Sequence, residues 1–156
     1  MKPILQAMIV ADHVYQDAKT GKHIVAGIFN QIFFMTKDAV DAQLNGASAG
    51  SGNRVLGGAH VGSTYVYLNL VDMKGTNQFK IQFVGLKDNE VYFDAKFELR
   101  SEDPIKTCEA SFGLPQLPTH KAGDYALELI WIDSEQREEL IGSVRIKVTQ
   151  MTPSQE

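Results

Sequence analysis

Cysteine is almost absent from this sequence: Cys108 is the single one in 156 residues. No intrachain disulfide can form, and no cysteine-based metal site can be assembled. Cys108 lies in the alternating stretch KTCEASFG, where a buried, inert thiol is the expected state. Clustered positive charge is missing too. Lysines and arginines are scattered singly, and the net charge of -4 would repel a phosphate backbone, so no nucleic-acid partner is expected.

Long apolar runs are also lacking. No segment approaches the ~18 residues that a membrane-spanning helix needs, so no membrane association is expected. The opening MKPILQAMIVADHVYQD has a short apolar stretch, but Gln6 interrupts it and Asp12 follows at once. Without a small-residue cleavage site it does not read as a secretion signal, and the expected location is cytoplasmic. The four histidines, His13, His23, His60 and His120, show no His-x-His or His-x3-His spacing. They read as surface or turn residues, and neither a metal nor an organic cofactor is expected.

What is present is strand pattern. Residues 4–15, ILQAMIVADHVY, are followed by DAKTGK, in which Asp17 can accept from backbone N–H groups ahead and Gly21 can take positive φ. HIVAGIFNQIFFM comes next, β-branched and aromatic without a helical stripe, so the two runs form a hairpin. In 64–71, Val66, Leu68 and Leu70 point one way and Tyr65, Tyr67, Asn69 and Val71 the other. In 79–84, Phe79, Ile81 and Phe83 alternate with Lys80, Gln82 and Val84. In 91–100, Val91, Phe93, Ala95, Phe97 and Leu99 alternate with Tyr92, Asp94, Lys96, Glu98 and Arg100. Residues 106–113, 125–132 and 140–149 add further strands, the last with Leu140, Val144, Ile146 and Val148 inward.

Two segments depart from this pattern. TKDAVDAQLNG (36–46) has capping and stop residues suited to a helix of about two turns. NGASAGSGNRVLGGAHVG (45–62) holds six glycines and reads as a loop. The whole predicts a single all-β domain over 1–150 with a polar tail over 151–156. Its architecture is an antiparallel β-sandwich of about eight strands, with one short helix and a Gly-rich loop. Pro115 and Pro118 mark a crossing segment, and Tyr125 after Gly123 has the position of the tyrosine corner of Greek-key sandwiches. Trp131 is expected in the core, opposite or near that corner.

QAMIVADHVYQDAKTGKHIVAGIF and FGLPQLPTHKAGDYALELIW resemble an uncharacterised family of small bacterial proteins. Members open with a strand, a D-x-x-T-G-K turn and a second strand, and close with L-P-x-L-P…G-x-Y. The resemblance implies a sandwich of the broad immunoglobulin-like or C2-like kind. It brings no activity and no functional residues.

Catalytic motifs are sparse. GASAG (46–50) matches the G-x-S-x-G of a nucleophile elbow, which would make Ser48 a hydrolase nucleophile with Asp88 or Asp103 and then His120. The elbow needs a strand before it and a helix after it. Here DAVDAQLN precedes it, and SGNRVLGG, with three glycines in eight residues, follows. The loop also lacks the Lys-Ser/Thr ending of a phosphate-binding P-loop. Calcium would need several carboxylates in neighbouring loops, whereas Asp72, Asp88 and Asp133 supply one each. Glu102-Asp103 and Glu138-Glu139 lie at hairpin ends, where solvated charge is the ordinary state.

No catalytic, metal-ligating or cofactor-binding residue is therefore assigned, and a non-enzymatic binding or assembly module is expected. The alternative is a hydrolase or ligand-processing enzyme that uses the loop around Ser48. Tyr65, Tyr67 and Val71 form the candidate interface, because two tyrosines and a valine on an outward sheet face need a cover. The 36–44 helix or the glycine loop could supply it. So could a protein partner or a second copy of the chain.

Overall fold

The computed structural model describes residues 1–34, 64–115, 117 and 121–151. The expected helix at 36–44, the glycine-rich loop with Ser48, and His60, Pro118 and His120 lie outside the described residues.

Nine strands are present among the described residues: β1 (Ile4–Gln16), β2 (His23–Ile28), β3 (Gln31–Phe34), β4 (Thr64–Val71), β5 (Gly75–Gly85), β6 (Val91–Ser101), β7 (Cys108–Leu114), β8 (Gly123–Ile132) and β9 (Glu138–Gln150). They form a β-sandwich of two sheets, in the orders β2-β1-β4-β7 and β3-β9-β8-β5-β6. Every pairing is antiparallel except β3 with β9.

Aspartates fix several of the turns. Asp17 Oδ1 accepts from the backbone N–H groups of Lys19 (2.9 Å) and Thr20 (2.7 Å) and from the Thr20 hydroxyl (3.0 Å). Gly21 follows at φ +67°, as the DAKTGK reading requires. Asp88 accepts from Glu90 N, Asp103 from Ile105 N, and Asp133 from Glu135 N and Arg137 N. One side-chain oxygen thus shapes each of these turns, and the turn sets the register of its flanking strands.

Alternation then builds the core. Val66, Leu68 and Leu70 of β4 are fully buried with Phe79, Ile81 and Phe83 of β5 and Leu127 and Leu129 of β8. Burying each such side chain contributes about 1.5–3 kcal/mol against exposure. Leu117, from the proline-marked crossing segment, is buried in the same cluster. The tyrosine corner forms as expected: the Tyr125 hydroxyl donates to the Lys121 carbonyl at 2.8 Å, and its ring stacks on Phe83 at 4.9 Å.

The structure corrects four details. HIVAGIFNQIFFM is two strands rather than one, which raises the strand count to nine. Phe29 N still donates to Val10 O of β1, while Lys147 N of β9 donates to Asn30 O. The chain changes sheets within those two residues, and an apolar run with no polar face carries no mark of the change. Leu140 is exposed, because β9 has an extra residue between the partners of Leu129 and Ile130 and Ile141 packs inward instead. Tyr92 displaces Val91 from the core in the same way, across the irregularity between Phe83 and Val84. Trp131 packs opposite Phe79, about 20 Å along β8 from Tyr125 rather than near it.

Candidate interaction surface

The outer face of the four-stranded sheet carries the residues singled out from the sequence. Ala11 of β1 lies between Tyr65 of β4 and Ile28 of β2. Beyond it the β1–β2 hairpin projects past the end of β4. Ile9 is opposite Tyr67 and Gln16 is opposite His23, and a straight strand would separate those two points by about 23 Å. Nevertheless the rings of His23 and Tyr67 are 5.3 Å apart. The hairpin must therefore curl back over the sheet, and it brings its own aromatics with it. His13 lies 6.1 Å from the Tyr65 ring and stacks on Tyr15 at 5.7 Å.

Glu109 of β7 fastens this arrangement. Its Oε1 accepts from the Tyr67 hydroxyl at 2.6 Å, and its Oε2 lies 3.0 Å from His23 Nδ1. These hydrogen bonds, first from Tyr67 and then from His23, hold the Glu109 carboxyl below its ordinary pKa. Burial and then the bond to Glu109 push the Tyr67 phenol up. The His23 side chain, at the end of the turn, is only 10% exposed, so it is an anchor and not a surface residue.

The structure separates the three candidate interface residues. Tyr67 is 9% exposed and has both its ring and its hydroxyl engaged within the chain. Tyr65 is half-buried, its ring lying over the bare backbone of Gly113. Val71 is half-buried opposite Ile4 at the far end of β4. Among the described residues, the cover over the two tyrosines comes from the chain's own histidines. No local signal could have shown this, because His23 and Glu109 are 86 residues apart.

Apolar side chains lie open beside this cluster. Tyr15 and Ile24 are paired across the hairpin and each 54% exposed, and Ile28 is 68% exposed. No residue of β2 is an acid, a lysine or an arginine. The edge strand β6 is built differently, with Asp94, Lys96, Glu98 and Arg100 outward at every second position. Such charges discourage another chain from adding to an edge, and β2 lacks them.

The remaining candidate groups have local partners. Asp88 and Asp133 are held below the usual carboxylate range by turn N–H groups, those of Glu90 and Arg137 respectively. Glu138 and Glu139 pair with Lys80 and Lys2, and Glu102 with Arg100 at 2.7 Å. Burial pushes the Cys108 thiol up, away from a reactive thiolate. Among the described residues, no three His, Cys, Asp or Glu side chains converge as a metal site would require. No protein-family model matches this chain, and no match to it was found among curated proteins.

Proposed function

We propose that this chain is a non-enzymatic assembly module that pairs with a second copy of itself through the exposed face of the β1–β2 hairpin. The observation that carries this reading is the contrast between two edge strands. β6 bears alternating charges, whereas β2 bears none and exposes Ile24 and Ile28 beside Tyr15. The contact area expected around Tyr65 and Tyr67 moves outward onto Tyr15, Ile24 and Ile28, with Tyr65 at its margin.

A second copy suits the patch on electrostatic grounds. Two chains of net charge -4 repel wherever acidic surface meets acidic surface. The uncharged hairpin face is where a twofold-related pair can approach without that cost, each copy offering the other the same residues. Tyrosine and isoleucine there supply contact area at low entropic cost. The single half-buried Cys108 suits a reducing compartment, and the proposal places the module in the cytoplasm.

Light scattering across a concentration series tests the reading. The wild type should be dimeric at tens of micromolar, and Ile24→Lys and Ile28→Lys should each be monomeric with an unchanged Tm. A wild type that stays monomeric to several hundred micromolar would overturn self-association.

A further inference from the structure

We propose that one end of the sandwich is a binding site for a phosphate-bearing small molecule, independent of the hairpin surface. A groove of about 540 Å³ opens where the β5–β6 turn meets the start of β8 and the end of β9. Lys87, Arg145 and Lys147 line it, and Asp124 is the one acidic residue among them. Three cations less one carboxylate leave a formal charge of +2, in a chain whose total is -4.

Their gathering in one groove sets these cations apart. Lys2, Lys80, Arg100 and Arg137 each have a carboxylate within ion-pair distance. Lys87, Arg145 and Lys147 form no ion pair among the described residues, as is true of most of the described cations, but these three share one groove. Asp124 offsets only part of their positive charge, and a bound anion would offset the rest.

Backbone geometry holds two of the three in place. Arg145 and Lys147 are alternate residues of β9 and so point to the same face, opposite Ala126 and Asp124 of β8. Ala126 adds almost no bulk beside Arg145, which leaves the guanidinium room to turn toward a ligand. Lys147 is also fixed through its N–H to the Asn30 carbonyl. Lys87 reaches in from the turn shaped by Asp88, and the turn is tied to β8 by Leu86 N donating to Asp124 O at 3.0 Å. An arginine fork and two ammonium groups lining one groove suit the oxygens of a phosphate or diphosphate. Asp124, opposite Lys147 and bonded through its carbonyl to Leu86, would repel a ligand crowded against it, so the anion should sit toward Arg145.

Calorimetric titration of the full chain with inorganic pyrophosphate, and in parallel with citrate, tests the site. Pyrophosphate should bind the wild type at one equivalent, and Arg145→Gln and Lys147→Glu should weaken it about tenfold or more, with unchanged Tm. Lys106→Glu, a charge reversal at an exposed lysine outside the groove, should bind as the wild type does. Absence of pyrophosphate binding would overturn the proposal. So would an equal loss in all three variants, which would mark a diffuse charge effect. Citrate binding as tightly as pyrophosphate would remove the assignment to phosphate chemistry.

Discussion

Tyr67 and His23 share one carboxylate: the phenol donates to one oxygen of Glu109 and the imidazole lies on the other. They come from β4 and β2, strands that are not neighbours in the sheet, so Glu109 is a clasp that keeps the hairpin curled over it. Tyr67→Phe removes one arm of the clasp and keeps the ring packing. The loss should be about 0.5–1.5 kcal/mol in a denaturant melt. Glu109→Ala frees both arms, and amide exchange in the β1–β2 hairpin should rise more than in β5 or β8. Uniform protection in the variant would show that the hairpin is held by something else.

Acid should weaken the fold through the same carboxylate. Glu109 has a folded pKa below its ordinary 4.5, and Asp17 lies below its ordinary 3.8, chiefly through the Thr20 N–H. A depressed folded pKa means that the native state binds fewer protons than the unfolded chain. The stabilisation is therefore present above the ordinary pKa and lost as pH falls through the folded one. Thermal melts should show a steady Tm from pH 7 to about 5 and a fall below about 4. Glu109→Gln should have a shallower acid slope than the wild type, and an identical slope would remove Glu109 from this account.

Much of the fold was legible because its signals are local. Val66, Leu68 and Leu70 show the core face of β4 by alternation alone, and Asp17 with Gly21 gives the first hairpin through turn chemistry. Tyr125 announces its corner in the same way. Parity was the weak point. A single extra residue, Tyr92 or Ile141, turns its neighbours to the other face, and no composition signal marks it. The interaction surface was half legible. Alternation put Tyr65 and Tyr67 on the outer face, but their contacts with His13 and His23 depend on the curl of a hairpin, which strand periodicity does not encode.

At the alkaline end the informative group is Tyr92. Its phenol donates to Asp88 Oδ2 at 2.9 Å, and that bond, ahead of burial and the carboxylate's charge, raises its pKa to about 12. Here the sign reverses. A folded pKa above the unfolded value gives stabilisation that is complete below pH 10 and lost as pH rises toward 12. The Tyr67 and Tyr125 phenols are raised as well. Titration of phenolate absorbance should therefore show a late-ionising phase that loses its last tyrosine, but not the whole phase, in Tyr92→Phe. If all five tyrosines of the wild type ionise together near pH 10, the bond to Asp88 does not persist in solution.

Gly27 bears on both the hairpin and the self-association proposed through it. It lies at φ +71°, where a side chain strains the backbone, and an added Cβ would collide with the side chain of Asp12. Two independent penalties thus act at one position, and Gly27→Ala should cost about 1–3 kcal/mol or more. Asp12→Gly in the same background removes the collision and leaves the strain, so it should restore part of the loss. The damage should also reach the dimer, because a displaced β2 moves Ile24 and Ile28 away from their places beside Tyr15 and Ala11. Light scattering on Gly27→Ala at a temperature where it remains folded should therefore show weakened association. A folded Gly27→Ala that associates as the wild type does would place the contact elsewhere than on β2.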